Sequence, residues 1–291
     1  MNTATSGNLE AAQRTIIAES KIHQEHQTPC SNLIEKYTLP KGAKQMDVPT
    51  MAAFDDAQDL TDGIPIISSE DLGVTTVELT TNEVGIRVIY TDKLERQAND
   101  DINRKIGRLM GNSCARKQEK DVIALFSALN GGTALGADNK YMTLTNLAAA
   151  VTRAQGGANP WPTPVSIVHH SYALYDLTKS MVVTPGATYP LPQGLDEDLL
   201  KNFYRINVNG IPAFYSNHIA VISGVDSGYG AIFSKESMCI ISSMDWRTER
   251  ARDIDLRAWK IVTVKDYGVF ETVDAFGAPL RYEMAAPATD N

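Results

Sequence analysis

Lysine and arginine are absent from Gln45 to Ile86, a stretch that holds nine acidic residues: Asp47, Asp55, Asp56, Asp59, Asp62, Glu70, Asp71, Glu78 and Glu83. Over the whole chain the formal net charge is −8. A dedicated nucleic-acid binder usually carries a basic face, so this balance argues against that class. It leaves open a container for nucleic acid, because enclosing a polyanion does not require binding it. Cysteine is scarce. Cys30, Cys114 and Cys239 are far apart and odd in number, with no metal-ligand or redox spacing, and this points to a reducing compartment. No apolar run approaches the ~18 residues of a membrane span, and Met1–Ser20 lacks the apolar core of a signal peptide.

Chemistry is also thin. The glycines of Gly131 to Gly136 are not followed by Gly-Lys-Ser/Thr, and Gly224 to Gly230 has the wrong spacing for a dinucleotide fingerprint. Both stretches read as turns. No Gly-x-Ser-x-Gly elbow exists to pair with His169 or His170, so these two read as helix-entry residues. His23 and His26 are one helical turn apart but have no third ligand nearby. The carboxylate pairs Asp55–Asp56 and Asp100–Asp101 lie in polar surroundings, where nothing shifts a pKa toward acid/base work. No catalytic, cofactor-binding or metal-binding residue is assigned, and the chain does not read as an enzyme.

Long-range pattern is what the sequence does have. Residues 92–129 read as one charged helix, with Asp92 and Glu95 as a capping pair. Leu94, Ala98, Ile102, Ile106, Leu109 and Met110, then Val122, Ile123, Phe126 and Leu129, recur at helical spacing. Such a helix would be ~57 Å long, against a diameter of about 50 Å for a compact globule of this length. A flat subunit that buries its surface against copies of itself follows. Two shorter helices broken near Gly107 or Gly111 are the alternative, and those glycines otherwise mark a bend or a close backbone approach.

Before this helix, residues 1–32 are polar and read as an arm. Strands are expected at Leu33–Leu39 and over Val84, Ile86, Val88 and Tyr90. Between them, Pro40 to Val74 has little periodicity, and a loop of that length without its own core is usually functional. It reads either as a solvated flexible loop or as a projecting arm whose acids meet basic groups on another subunit.

After the helix, Thr143 caps a helix ending at Gly156, Val165–His169 is a buried strand, and Ser171 caps the next helix. Residues 184–195 are a Pro/Gly-rich loop. Tyr204–Val208, Asn209-Gly210 and Ile211–Tyr215 form a hairpin signature. Strands follow at Ala231–Phe233 and Met238–Ser242. In the tail, Leu256–Tyr267, Val269–Val273 and Pro279–Tyr282 read as three strands, separated by turns at Asp266-Tyr267-Gly268 and Asp274–Gly277. The tail sheet is expected to pack on the long helix.

Gly230–Met238 running into Arg250–Asp253, Lys260–Val269 with its Tyr-Gly pair, and Val208–Pro212 followed by Ser216-Asn217 resemble stretches of the major capsid proteins of tailed bacteriophages with the HK97-type fold. The order of elements resembles that family over nearly the whole chain. The resemblance implies an α+β, HK97-like capsid fold. Its parts would be an N-terminal arm at 1–32, an extended β-hairpin loop at 33–90, a peripheral domain at 91–141 and 246–291, and an inserted axial domain at 142–245.

The implied function is a structural subunit of an icosahedral phage head enclosing double-stranded DNA, assembled in a bacterial cytoplasm and located in the virion. The implied partners are copies of itself in pentamers and hexamers, with scaffolding, portal and cement proteins, and no membrane. An encapsulin-like shell packaging a cargo enzyme is the alternative, and a soluble α+β enzyme a third. The inter-subunit interface is expected at Lys36, Lys41, Lys44, Asp55, Asp56, Asp59 and Asp62 on the arm, facing Arg247, Arg250, Arg252 and Arg257.

Overall fold

A computed structural model describes residues 28–51, 54, 57, 59, 73–97, 102–156, 160–181, 206–208 and 210–287. The N-terminal arm up to residue 27 and the loop at 184–195 lie outside the described residues. The described chain is mixed α+β, as expected, and arranges its strands in three sheets.

The first of these is the projecting arm. A single helical turn, α1 (Cys30–Leu33), leads into β1 (Glu35–Thr38), so the first strand starts later than expected. Then β2 (Met46–Met51) pairs antiparallel with β3 (Val74–Leu79), from Met46 opposite Leu79 to Met51 opposite Val74. The expectation of little structure after Pro40 is therefore corrected at 46–51. Pro49 hides this strand in the sequence, because proline usually argues against one. Here β2 belongs to a two-stranded ribbon, in which each strand has an open side that tolerates a missing N–H.

From the arm, β4 (Asn82–Thr91) runs into the body. Val84, Ile86 and Val88 are half-buried and Tyr90 is buried, while Glu83, Gly85 and Arg87 face solvent. That is the period-2 pattern of a strand with one wet face. β4 joins a four-stranded sheet of order β1-β10-β11-β4, built on the long hairpin of β10 (Met238–Asp253) and β11 (Ala258–Glu271). The hairpin pairs from Asp253 opposite Ala258 to Met238 opposite Glu271.

The expected turn at Tyr267-Gly268 is not there, and β11 continues through it. Gly268 serves close approach instead. A Cβ there would press into the Thr80 carbonyl oxygen and the Phe270 ring.

The 92–129 segment contains α2 (Asp92–Gln97) and α3 (Ile102–Leu125). Residues 98–101 lie outside the described residues. Twenty-four residues make α3 ~36 Å long. It runs through Gly107 and Gly111, where an added Cβ would meet nothing within 4 Å, so no close approach within the subunit requires either glycine. Thr91, not Asp92, caps α2: its Oγ1 accepts from the Leu94 N–H at 3.3 Å. Leu109 is 47% exposed, against expectation. The buried row runs instead through Met110, Cys114, Val122 and Phe126, spaced by four residues or, between Cys114 and Val122, by eight.

The third sheet has order β5-β12-β9-β6-β8-β7. Its strands are β5 (Leu135–Gly136), β6 (Val165–His169), β7 (Ile206–Val208), β8 (Ile211–Tyr215), β9 (Ser227–Ser234) and β12 (Gly277–Glu283). Every residue of β6 is buried, as the apolar run predicts. Val208 lies opposite Ile211 with Gly210 at φ +81°, as the hairpin signature requires. Of the expected turn at Gly224–Gly230, the first part is a turn and Ser227 onward is strand.

The last strand corrects the tail-sheet expectation: β12 pairs with β9, not with β11. The short 3-10 turn Asp274–Phe276 carries the chain from one sheet to the other.

Helices α4 (Leu144–Gln155) and α5 (Ser171–Met181) pack on this sheet, adding Leu147, Val151, Ala173 and Leu177 to its core. Thr143 caps α4, accepting from Asn146 N–H at 3.3 Å. For α5 the cap is His170, whose Nδ1 accepts from Tyr172 N–H at 3.2 Å, rather than Ser171. One main core joins the two larger sheets. Val122, Phe126 and Leu129 from the spine pack with Ile232, Phe233 and Leu280, and the Phe126 and Phe233 rings lie 5.6 Å apart. No helix among the described residues is long and apolar enough to cross a membrane.

Candidate assembly surfaces

The arm is secured only at its root. Leu39, Leu79, Cys239 and Ile241 form a small separate core there, covered by Tyr37, Met46, Val48, Val77 and Phe270. Beyond it, Met51 is 64% and Phe54 62% exposed. A lone two-stranded hairpin is marginal in water, so exposed apolar groups at its far end mark a surface awaiting cover. Lys36, Lys41 and Lys44 gather at the root. Lys36 Nζ donates to Asn32 Oδ1 at 2.9 Å, and the other two are exposed beside the Pro40–Ala43 turn. Asp59 is exposed. Asp55, Asp56 and Asp62 lie outside the described residues.

The expected basic partners lie on the long hairpin. Arg247, Arg250 and Arg252 follow one another along β10, and Arg257 sits in the turn at its tip with φ +47°. The structure gives these arginines neighbours that sequence reasoning missed. Arg250 stacks on Trp259, its guanidinium 3.8 Å from the ring centroid, with Tyr90 at 5.8 Å. Arg252 binds Asp92 at 2.9 Å and lies 5.5 Å from the same Trp259. Arg247 pairs with Glu249 at 2.7 Å.

Arg250 and Arg252 are thus held on an aromatic platform. The Arg257 carbonyl accepts from Asp92 N–H at 2.9 Å, tying the tip to the start of α2. At the tip, Asp253 accepts from the N–H groups of Asp255 and Leu256 and pairs with Lys260, which lowers its pKa. Ile254 stands 79% exposed on this stiff turn. Among the described residues β1 covers only Cys239–Ser242 of β10, so the arginine-bearing remainder has an open edge, the kind of edge that accepts a strand from another chain.

Glu119 is a further residue that the sequence reading passed over. It is fully buried, and its two carboxylate oxygens accept from Cys30 N–H at 3.0 and 3.3 Å. Pro29 supplies no side-chain cap to α1, so Glu119 on the spine helix caps it from outside. Burial raises the pKa of Glu119, against the lowering effect of the Cys30, Ser31 and Ser216 groups that face it. The point where the N-terminal segment meets the body is thus fastened to α3. The signal was present in the sequence: Glu119 falls three residues before Val122 and seven before Phe126, on the buried row.

Spine and sheet are joined by Tyr267 Oη donating to Asp121 Oδ2 at 2.6 Å and Lys265 Nζ donating to Gln118 Oε1 at 3.4 Å. Burial lowers the pKa of Lys265. His169 and His170 enter α5 as expected. His169 is buried, and desolvation drives its pKa down to about 3, so the imidazole is neutral at physiological pH. Its Nδ1 accepts from His170 N–H at 2.8 Å. Its ring lies where a Cβ on Gly230 would otherwise sit. It is a packing group. Among the described residues no cluster of three metal-ligating side chains occurs.

An acidic two-stranded arm, a spine helix, a long open-edged hairpin and a second sheet joined to it through the short turns Lys235–Ser237 and Asp274–Phe276 make up the fold of bacteriophage capsid chains. The match to solved structures is nearly end to end. The capsid of cyanophage Pam1 superposes with a TM-score of 0.69 at 12% identity, covering 92% of this chain and 96% of that one. The capsid of a native GTA particle gives 0.68 at 14% identity, over 94% and 98%. The capsid of cyanophage P-SCSP1u gives 0.68 at 15% identity, over 92% and 92%. No family model and no curated protein matches the sequence. The mixed α+β fold is shared with phage capsid structures, in line with the resemblance.

Proposed function

We propose that this chain is a major capsid protein, the repeating subunit of an icosahedral phage head that encloses double-stranded DNA. The observation that carries the proposal is the near end-to-end superposition on capsid chains, together with an arm whose far end leaves Met51 and Phe54 exposed. In this reading 1–32 is the N-terminal arm and 33–90 the extended loop. Residues 91–141 and 246–291 form the peripheral domain, and 142–245 the axial domain. The acidic arm of one subunit lies against Arg247, Arg250, Arg252 and Arg257 of the next. Charge complementarity of this kind steers encounter and fixes register. Scaffolding, portal and cement proteins complete the head, assembled in a bacterial cytoplasm.

DNA is held by confinement. With a net charge of −8 the subunit lacks the cation excess behind tight, salt-sensitive phosphate binding.

Negative-stain microscopy and gel filtration of the expressed protein test the proposal. Shells, malformed shells or pentamer and hexamer rings are expected, and a stable monomer at high concentration in near-physiological salt overturns it. The ratio of nucleic-acid to protein absorbance in natively isolated particles separates a DNA-filled head from a cargo-filled compartment. Submicromolar affinity of the isolated subunit for duplex DNA overturns the confinement account.

A further inference from the structure

The spine helix departs from the acidic character of the chain. From Lys105 to Leu125 it carries the bases Lys105, Arg108, Arg116, Lys117 and Lys120 against the acids Glu119 and Asp121. Both acids are engaged inward. Glu119 is buried against the Cys30 N–H, and Asp121 accepts from Tyr267 Oη at 2.6 Å and offsets Lys117. Helical periodicity gathers the bases: Lys105, Leu109, Asn112, Arg116 and Lys120 follow at steps of four, three, four and four residues, a single stripe of an α-helix. The stripe points away from Cys114, which is buried, and from Gln118, which accepts from Lys265 of the sheet. It spans ~22 Å.

The sheet beneath has the same sidedness. Directly opposed residues of antiparallel strands share a face. Lys265 and Tyr267 reach α3, so theirs is the spine side. Trp259 and Ile261 alternate with them on β11, and Arg252 and Arg250 lie opposite these two. Among the paired residues from Trp259 to Tyr267, the spine side holds Arg250, Arg252 and Lys265 and no carboxylate; Asp92 reaches it from α2 to pair with Arg252. Glu83, Glu249, Asp253 and Asp266 fall on the other face, with Arg87, Arg247 and Lys260.

We propose that the spine side of the subunit faces the lumen of the head, with the Lys105–Lys120 stripe against the phosphates of the enclosed DNA. The proposal rests on the reading of the chain as a capsid subunit. A wall of net negative charge repels packed DNA least when its cations are turned inward, and here they are segregated to one side. A ~22 Å length of duplex carries about 13 phosphate charges, so the few cations of one stripe neutralise a minor share. The isolated subunit therefore binds DNA weakly, in keeping with confinement, and the contacts add up where many copies surround one molecule. A protein partner on this face would need apolar anchors, and Leu109 is the one large apolar side chain of the stripe.

Amine acetylation of natively isolated heads, read by peptide mass spectrometry, tests the proposal. Lys117 and Lys120, both exposed, should react several-fold more slowly in DNA-filled heads than in heads emptied of DNA, measured relative to Lys41 and Lys44 at the root of the arm. Equal reactivity in filled and emptied heads overturns the proposal and leaves the capsid reading intact. Slow reaction in both also overturns it, since an acidic protein or another subunit then covers the face. Lys117→Gln combined with Lys120→Gln should give filled heads that release DNA at a lower temperature than the wild type, and unchanged release counts against the stripe. If that variant does not fold, the wild-type acetylation comparison decides. Shells that never hold DNA overturn the phage-head reading itself, and this proposal with it.

Discussion

The arm and the body of this subunit follow opposite rules. In the body, the spine row from Met110 to Phe126 and the strands β6, β9 and β12 bury large side chains on several sides, and one continuous apolar core joins them. In the arm, β2 and β3 have only each other, a small core at the root, and exposed Met51, Phe54 and Val74 beyond it. The body's fold is stabilised within the chain. Under the proposed function, the arm is a shape that one chain prepares and another completes. Substitutions should therefore separate, with body changes acting on folding and arm changes acting on association.

Phe126→Ala should break the contrast from the body side. It removes a fully buried ring packed on Phe233 and should cost ~3–5 kcal/mol, read as a fall in the denaturant midpoint of the isolated subunit. An unchanged midpoint would mean that the core is not where the folding energy resides. Asp55→Lys combined with Asp59→Lys probes the arm. Assembly should weaken by ~1–3 kcal/mol through like-charge contact with the arginine row, seen in light scattering, while the subunit's unfolding curve is unchanged. Normal shells from this double variant would make the arm's acidity a matter of solvation only.

Glu119→Ala tests the boundary between the two regimes. It leaves the Cys30 N–H buried without its acceptor, and should cost ~1–3 kcal/mol, localised in hydrogen exchange at Cys30–Leu33 and absent from β2 and β3. Uniform loosening would argue against a local anchor. Because burial raises the Glu119 pKa, its stabilising share is largest at acid pH and declines as pH rises through its folded value. The smallest effect is expected from Arg252→Ala. This half-exposed pair with Asp92 should contribute less than about 1 kcal/mol to folding. A larger effect on assembly than on unfolding would place the arginine row at an interface.

The elements of the fold were legible where a local rule speaks. Thr143 as a cap, the apolar run Val165–His169, the Asn-Gly hairpin and the alternation from Val84 to Tyr90 each report short-range geometry. The errors share one cause. β2 lies in a stretch of little periodicity, Gly268 mimicked a turn, and β12 was assigned to the nearer sheet. In each case a partner distant in sequence decides: Thr76 opposite Pro49, the Thr80 carbonyl beneath Gly268, β9 beside β12.

The charge contrast between arm and hairpin was visible as composition. The platform that orders the arginines was not, because Tyr90, Asp92 and Trp259 converge on Arg250 and Arg252 only once β4, β10 and β11 are paired.

Residue order alone determined the class of structure: an arm whose acidic stretch from Gln45 to Ile86 lacks lysine and arginine and has too little periodicity to build a core by itself, followed by a periodic spine and a strand-rich tail. Local periodicity and charge suffice for that, since they depend on neighbours within a few residues. Which sheet receives the last strand and which carboxylate caps the first helix were decided by tertiary structure. These choices depend on burial and on contacts between residues as distant as Cys30 and Glu119, and burial is a property of the assembled core.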